Sequence, residues 1–206
     1  MVDNKIFVID YGSGNLASVV NMIRHEGGEA HIITEPDQLA AADKLILPGV
    51  GAFDHGISSL RQRGWIAPLE QAVLERKVPI MGICLGMQLL TRGSEEGQEP
   101  GLGWLDAHAR RFRPADVKLK VPHMGWNEVR QMREDVLLPL VETTRRFYFV
   151  HSYLVECANP EDVLLECDYG ETFVAAFRRA NIWGFQFHPE KSHKFGMEIF
   201  RHFLEV

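Results

Sequence analysis

The residues of this chain best suited to chemistry are a cysteine, a histidine and a glutamate from distant stretches of sequence. Cys84 ends the apolar run of residues 80–83, and His188 and Glu190 come directly after the run of residues 183–187. A thiol, a histidine that takes its proton and a carboxylate that orients the histidine are the minimum set for covalent acyl transfer. The sequence therefore predicts a nucleophile, a general base and an orienting carboxylate.

The surroundings of Cys84 predict a sharp corner between a strand and a helix. Residues 80–83 are typical of a short buried strand and residues 85–90 of a helix start, and Gly82 and Gly86 flank the corner. Residues without a side chain permit such a turn, and the helix N-terminus favours the thiolate, which is the reactive form. The alternative is that Cys84 is a small buried residue, the commonest state of a free cysteine.

The second half of the set lies at the end of another predicted strand. Residues 183–187 alternate as a strand does, and a parallel sheet collects functional loops at the carboxyl ends of its strands. Pro189 fixes one backbone angle between His188 and Glu190. We expect His188 to take the proton of Cys84 and to return it to a leaving amine, while Glu190 binds the other ring nitrogen. A histidine at a strand end is usually just a partly exposed polar residue, so the assignment depends on its pairing with Cys84.

A glycine-containing turn is the candidate for stabilising an oxyanion. Residues 44–47 predict a strand that enters the turn at residues 48–53, where Gly49 and Gly51 leave the backbone free to aim its amides at a ligand. An oxyanion needs about two such donors. The backbone amides of Val50 and Leu85 are the candidates, and the alternative is an ordinary turn between a strand and a helix.

The order of the elements predicts an α/β fold with a central, mostly parallel sheet flanked by helices. Predicted strands in the first half span residues 5–9, 30–33, 44–47 and 80–83, and predicted helices span residues 15–26, 56–63 and 66–76. After a loop at residues 94–103, the predicted strands span residues 106–112, 127–131, 147–150, 163–168, 173–178 and 182–187, and a last helix spans residues 193–204. Some of these later strands are expected to be antiparallel. We expect one domain over residues 1–206.

Composition excludes several classes of function. The 206 residues carry a net charge of −6, and no apolar run approaches the ~20 residues of a membrane span. The start has no basic region followed by an apolar one, so we expect a cytoplasmic protein. Three cysteines fit a reducing compartment, and Cys157 and Cys167 have no metal-ligand spacing.

Two further sequence features argue against a cofactor or a nucleic-acid partner. Gly12 and Gly14 follow the first strand, but they lack the third glycine and the later acid of a dinucleotide-binding loop. The densest basic stretch is more typical of a solvated face or a protein contact than of a nucleic-acid site. This stretch consists of Arg110, Arg111, Arg113, Lys118 and Lys120.

Several blocks of this chain resemble a known family. Residues 48–51, 82–88 and 187–192 are similar to the signature blocks of class I (triad) glutamine amidotransferases. Residues 10–16, 121–127 and 148–153 resemble the glutaminase-subunit family of imidazole glycerol phosphate synthases, and the resemblance runs over residues 6–204. It implies the flavodoxin-like class I glutamine amidotransferase fold, with an additional antiparallel region in the C-terminal half.

The resemblance also implies roles for individual residues. Cys84 would attack the side-chain amide of glutamine, form a glutamyl thioester and release ammonia, with His188 and Glu190 as its triad partners. Val50 matches the oxyanion-strand residue, whose peptide must reorient before its amide points inward. The positions that match the glutamine pocket are Gly51, Gln88, Glu96, His151, Ser152 and Tyr153. The positions that match the partner contact are Pro122, Trp126, Tyr148 and Lys191. The family implies no metal and no cofactor.

A partner follows from the chemistry of ammonia as well as from the resemblance. Ammonia in neutral water is mostly protonated and then cannot attack, so a useful glutaminase must deliver it along a shielded route. In the family the acceptor is a TIM-barrel cyclase subunit, which forms a heterodimer with the glutaminase and makes imidazole glycerol phosphate for histidine synthesis. The alternatives are a paralogous glutaminase that serves a sugar-modifying synthase, a cysteine hydrolase of the same fold, and a non-catalytic binding subunit, against which the intact triad argues.

Overall fold

The computed structural model describes residues 5–114 and 118–206 of the chain. The strands are β1 Lys5–Ile9, β2 Glu29–Ile33, β3 Leu45–Gly49, β4 Ile80–Cys84, β5 Ala107–Arg111, β6 His123–Gln131, β7 Arg146–His151, β8 Tyr153–Cys157, β9 Val163–Asp168, β10 Thr172–Arg179 and β11 Ile182–Phe185. The α-helices are α1 Leu16–His25, α2 Phe53–Gln62, α3 Ile66–Glu70, α4 Leu85–Leu89 and α5 His193–Glu205. A π-helical turn, Gln71–Glu75, continues α3.

The strands form a mixed sheet whose centre is parallel. Its order is β2-β1-β3-β4-β11-β10-β9-β6-β7, and β8 pairs with β10 and β5. The five strands from β2 to β11 pair in parallel, while β10, β9, β6 and β7 continue antiparallel. Gly49 pairs with Cys84, and Ile83 pairs with Phe185. The ends of β3, β4 and β11 therefore meet at one edge of the sheet, where parallel α/β folds place their sites.

Helices cover both faces of the parallel strands because successive side chains of a strand point to opposite faces. Ile46 and Met81 belong to the core cluster that includes residues of α1 and α5. Leu45, Leu47 and Ile80 belong to the second cluster, which includes residues of α2, α3 and α4. Strands buried on both sides read as continuous apolar runs, which is why these segments could be predicted from sequence.

The predicted α/β order is confirmed, with shifted boundaries at several elements. Helix α1 begins at Leu16 because Asn15 caps it, its side-chain oxygen accepting from the Ser18 amide at 3.3 Å. Helix α2 begins at Phe53 rather than at residue 56, and β3 extends to Gly49, so the predicted turn is shorter. The predicted helix 66–76 changes to π-helical geometry after α3, and the predicted strand 182–187 ends at Phe185.

Strand β8 was not predicted. It follows β7 after Ser152 alone, so the sequence has no turn signal that would separate the two strands. β8 leaves the neighbourhood of β7 and pairs with β5 over five residue pairs and with β10 through Val155 and Val174.

The basic stretch forms ion pairs within the chain. Arg110 lies 2.5 Å from both Glu156 and Glu171, and Arg113 lies 3.0 Å from Glu95. The carboxylates therefore offset part of the positive charge that the sequence concentrates here, and the side chain of Arg113 is still 62% exposed.

Candidate active site

Cys84 occupies a strained corner at the end of β4. Its φ is +54° and its ψ is −109°, and the next residue already begins α4. A Cβ on Gly86 would lie 1.8 Å from the Leu47 carbonyl oxygen, and a Cβ on Gly82 would lie 2.8 Å from the Gly86 carbonyl oxygen. Both flanking positions therefore require glycine, and the packing around them holds the cysteine in its unusual conformation.

His188 and Glu190 form a buried hydrogen-bonded pair. His188 Nδ1 lies 2.8 Å from Glu190 Oε1, and the two side chains are only 3% and 2% exposed. Because an ionised carboxylate only accepts hydrogen bonds, the proton is on Nδ1. The other ring nitrogen, Nε2, is buried and has no hydrogen-bond partner among the described residues.

Cys84 and His188 line the same cavity, and the sulfur influences the charge of the ring. Burial lowers the pKa of His188, but the influence of Cys84 and the hydrogen bond and charge of Glu190 outweigh burial and raise the pKa to about 9. His188 therefore holds a proton at neutral pH, between the sulfur and the carboxylate. The structure thus brings the three sequence-predicted residues together.

Main-chain hydrogen bonds attach His188 to strand β7. The His188 amide donates to the Tyr148 carbonyl at 2.9 Å, and the Tyr148 amide donates to Ser192 Oγ at 3.0 Å. The Ser192 hydroxyl in turn donates to the His188 carbonyl at 2.7 Å. This ring of hydrogen bonds fixes the imidazole relative to the antiparallel half of the sheet.

A cavity of about 360 Å³ opens beside Cys84 and His188, a size typical of small-molecule sites. It is lined by Val50, Gly51, Cys84, Leu85, Gln88, Glu96, Pro122, Val150, His151, Ser152, Tyr153 and His188. All of these except Val150 are residues that the sequence predicted. The Val150 carbonyl lies 3.8 Å from Cys84 Sγ, and no side-chain signal could have identified it because the contact is made by the main chain.

The predicted substrate residues present fixed polar atoms to this cavity. Glu96 Oε2 accepts from the Phe53 amide at 2.9 Å, so the start of α2 holds this carboxylate. The Tyr153 carbonyl accepts from His151 Nδ1 at 2.8 Å and from Gln88 Nε2 at 3.3 Å. The carboxylate and the oriented amide suit a ligand that carries an ammonium and a polar head.

The predicted oxyanion donor at Val50 is engaged elsewhere. The Val50 amide donates to Ser13 Oγ at 3.2 Å, and the Ser13 hydroxyl donates to the Val50 carbonyl. Ser13 thus binds the peptides on both sides of Val50 and occupies the amide that was expected to bind the oxyanion. The side chain of Val50 is 46% exposed, and Gly51 next to it has φ +100°, which favours glycine.

Trp126, Tyr148 and Lys191 do not line the cavity; they form a neighbouring aromatic surface. Trp126 pairs with Tyr148 across β6 and β7, with ring centroids 6.1 Å apart. Lys191 Nζ lies 5.9 Å from the Tyr148 ring centroid, and Trp126 stacks on His193 at 5.0 Å. Met124, on β6 like Trp126, is 61% exposed. Together with Pro122, these residues form a mostly apolar surface beside the site, and this surface includes the cation of Lys191.

Two buried histidines lie at the cavity: His151 lines it, and His123 packs against His151. His123 Nδ1 lies 3.0 Å from His151 Nε2, and His123 stacks on Tyr169 with 4.1 Å between ring centroids. Since His151 Nδ1 faces the Tyr153 carbonyl, the hydrogen between the rings comes from His123. Burial lowers the pKa of His123 to about 4 and that of His151 to about 3, so both rings are neutral at pH 7.

These lowered pKa values predict acid-sensitive stability. In the unfolded chain each histidine takes up a proton near pH 6.5, so the contribution to stability is complete above about pH 6.5 and is lost as the pH falls toward 4. The expected slope is up to about 1.4 kcal/mol per pH unit for each histidine. In urea unfolding between pH 7.5 and pH 4.5, His123→Phe should have a shallower slope, whereas exposed His55 replaced by glutamine should retain the wild-type slope. An unchanged slope in His123→Phe would contradict this assignment.

A larger cavity of about 580 Å³ lies away from this site, between β6, β9 and residues 141–145. The thiol that lines this cavity belongs to Cys167. Burial raises the pKa of this thiol to about 12, so it is not a nucleophile at neutral pH. Within residues 5–114 and 118–206 there is no cluster of ligand side chains that could hold a metal ion. No helix in the same part of the chain is long and apolar enough to cross a membrane.

Comparisons with known proteins identify relatives over nearly the whole chain. Residues 7–206 match the model of the family described as glutamine amidotransferase class-I. The chain is 51% identical to imidazole glycerol phosphate synthase subunit HisH 2 of Pseudomonas aeruginosa, over 98% of this chain and 99% of that protein. It is 46% identical to the protein of the same name from Methanococcus maripaludis, over 97% of this chain and 98% of that protein.

Among solved structures, the fold is similar to that of PurLQS from Thermotoga maritima, with a TM-score of 0.76, 18% identity and coverage of 98% and 97% of the two chains. A structure described as glutamine amidotransferase has the same TM-score at 19% identity, over 97% of each chain. These structural likenesses concern the fold alone. They confirm the predicted architecture, while the family match and the named relatives confirm the family resemblance.

Proposed function

Because the chain belongs to the glutamine amidotransferase class-I family, we propose that it is the glutaminase subunit of an imidazole glycerol phosphate synthase. It hydrolyses L-glutamine to glutamate and ammonia and passes the ammonia to a cyclase subunit. The observation that carries this proposal is the meeting of Cys84 and His188 at one cavity, with Glu190 hydrogen-bonded to His188, in a chain whose named relatives match over almost their whole length. Residues 1–206 form one glutamine amidotransferase domain, which one sheet running through both halves supports.

The three residues divide the reaction into two steps. Cys84 Sγ attacks the amide carbon of glutamine, a C–S bond forms, and His188 gives its Nε2 proton to the nitrogen as the C–N bond breaks and ammonia leaves. Water then attacks the glutamyl thioester, His188 takes a proton from that water, and the C–S bond breaks to release glutamate. Glu190 keeps the ring in the tautomer that presents Nε2 to the sulfur, since it binds the Nδ1 proton.

The cavity residues hold the two ends of glutamine. Glu96 offers a carboxylate to the α-ammonium: Oε2 accepts from the Phe53 amide, and Oε1 is the oxygen that would bind the ammonium. The amide nitrogen of Gln88 donates to the Tyr153 carbonyl and to Gln186 Oε1, so the amide oxygen of Gln88 can bind the ligand. Leu85 and Val50 supply the backbone donors for the oxyanion, and Gly51, His151 and Ser152 complete the pocket.

Val50 gives this site two states. With its amide on Ser13 the oxyanion hole lacks one donor, and reorientation of the peptide between Gly49 and Val50 would supply it. A cyclase subunit seated on the neighbouring surface of Pro122, Trp126, Tyr148 and Lys191 would also enclose the cavity mouth and exclude water. Ammonia that leaves Cys84 then stays unprotonated on its route to the cyclase.

Ser13→Ala should raise the glutaminase rate of the isolated chain. The substitution removes the hydroxyl that holds the Val50 amide outward, and a net hydrogen bond of about 0.5–1.5 kcal/mol corresponds to a rise of about 2–13-fold. The measurement is glutamate release without a partner. The control is Ser18→Ala, which changes a serine of α1 that does not line the cavity and should keep the wild-type rate. A lower or equal basal rate in Ser13→Ala would argue against the outward amide as the limiting feature.

The assignment of the partner is tested by reconstitution. The purified chain is mixed with a histidine-pathway cyclase subunit, its phosphoribulosyl aminoimidazole carboxamide nucleotide and glutamine, and both glutamate and imidazole glycerol phosphate are measured. We expect the two products to form together in a one-to-one ratio. Glutaminase activity that does not respond to this cyclase, but responds to a sugar-modifying synthase, would assign the chain to the paralogous system instead.

A cytoplasmic location fits this chemistry. Cys84 must remain a free thiol to act as nucleophile, and Cys84, Cys157 and Cys167 are all unpaired. A reducing compartment maintains that state.

A further inference from the structure

Gln186, which the sequence did not identify as a site residue, lies next to the nucleophile. Because Phe185 pairs with Ile83, the next residues, Gln186 and Cys84, come side by side at the edge of the sheet. Gln186 is 0% exposed, and its Nε2 lies 3.8 Å from Cys84 Sγ. It does not line the cavity, so its contact is with the sulfur and not with the substrate.

The orientation of the Gln186 amide follows from two successive hydrogen bonds of Gln88, one to the Tyr153 carbonyl and one to Gln186. Gln88 Nε2 lies 3.3 Å from the Tyr153 carbonyl oxygen, which can only accept, so the nitrogen of Gln88 faces that way. The same Nε2 lies 3.1 Å from Gln186 Oε1 and uses its second hydrogen there. The oxygen of Gln186 therefore faces Gln88, and its nitrogen must face Cys84.

Two of the groups that contact the sulfur, the Val150 carbonyl and the Gln186 amide, favour different protonation states. The Val150 carbonyl, at 3.8 Å, accepts a hydrogen bond from a thiol but offers nothing to a thiolate. The Gln186 amide donates to the sulfur, and such a hydrogen bond is about twice as strong when the acceptor is ionised. The Gln186 contact thus stabilises the reactive form selectively.

We propose that Gln186 is a positioning residue that holds Cys84 Sγ, favours its thiolate and connects it to Gln88 in the substrate pocket. This inference rests on the proposed glutaminase function and adds a residue to its machinery. It acts through Cys84, so its loss should lower the rate of the chemical step and leave substrate binding nearly unchanged.

The test replaces Gln186 with methionine, which has a similar size and no donor. Alkylation of Cys84 by iodoacetamide is followed from pH 5 to pH 10 in the isolated chain, by mass spectrometry of the Cys84 peptide. We expect the pH midpoint of alkylation to rise by about one unit, since a hydrogen bond to a charged group is lost. In the complex with the cyclase, kcat should fall about tenfold and KM should stay within about twofold.

Two further variants keep the result decisive. Gln62→Met changes an exposed glutamine at the end of α2 and should leave both the midpoint and kcat unchanged. Gln186→Asn keeps the amide on a shorter side chain that does not reach the sulfur, so it should shift the alkylation midpoint in the same direction. This variant replaces Gln186→Met if Gln186→Met does not fold. A wild-type midpoint in a folded Gln186 variant overturns the inference. Alkylation needs neither glutamine nor partner, so this outcome is distinct from failure of the proposed function.

Discussion

Replacement of Cys84 by alanine is expected to lower glutamate formation by about 10⁴–10⁶-fold, the range seen when a triad member is removed from other enzymes that use covalent intermediates. Without the sulfur no thioester can form, and His188 and Glu190 have no nucleophile to serve. The cavity and the partner surface stay intact because alanine fits the corner after β4, although its left-handed backbone is strained there. The measurement is glutamate release by the complex at saturating glutamine.

The control for this variant is the same complex supplied with an ammonium salt in place of glutamine. Since the cyclase needs only ammonia, Cys84→Ala should still form imidazole glycerol phosphate, at the wild-type rate. Cys157→Ser is the matched thiol control: burial raises the pKa of Cys157 to about 12, and this residue lies on β8, so its replacement should not change glutamate release. Turnover of glutamine by Cys84→Ala would show that the nucleophile is a different group.

The site residues that could be predicted are those with a reactive side chain and a recognisable sequence pattern directly around them. Cys84 stands between Gly82 and Gly86, and the structure gives the reason: a Cβ at either glycine would collide with main-chain oxygen atoms. His188 and Glu190 are separated by a proline at the end of an apolar strand, so sequence alone could indicate their roles. The central strands could be predicted because burial on both faces leaves continuous apolar runs.

The residues that escaped prediction act through main-chain atoms or through the register of distant strands. Val150 contacts the sulfur with its carbonyl, and Ser13 binds the main chain of Val50, so neither has a side-chain signal in its own segment. Gln186 reaches Cys84 only because β11 pairs with β4 in one particular register. Such contacts depend on long-range pairing, which no local spacing encodes.

The second large effect is stimulation of the glutaminase by its partner. In the isolated chain the Val50 amide donates to Ser13 Oγ, so the oxyanion at the glutamine carbonyl has one donor fewer than it needs. One such donor is worth about 10²–10³-fold in rate, and we expect the complex with cyclase and its bound nucleotide to exceed the isolated chain by about this factor. The measurement is glutamate release at saturating glutamine for the chain alone, the complex, and the complex with nucleotide.

The Ser13→Ala variant shows whether the stimulation acts through the Val50 peptide. If the partner works by turning that peptide inward, Ser13→Ala has already lost the hydrogen bonds that oppose the turn, so the partner can stimulate it less. The ratio of the stimulated rate to the basal rate should therefore fall by the same factor by which the basal rate rises. The stimulated rate itself should be unchanged, since the inward state is the same in both proteins. Equal rates for the isolated wild-type chain and the nucleotide-bound complex would remove the need for two states at Val50, and an unchanged ratio in Ser13→Ala would place the coupling at a different element.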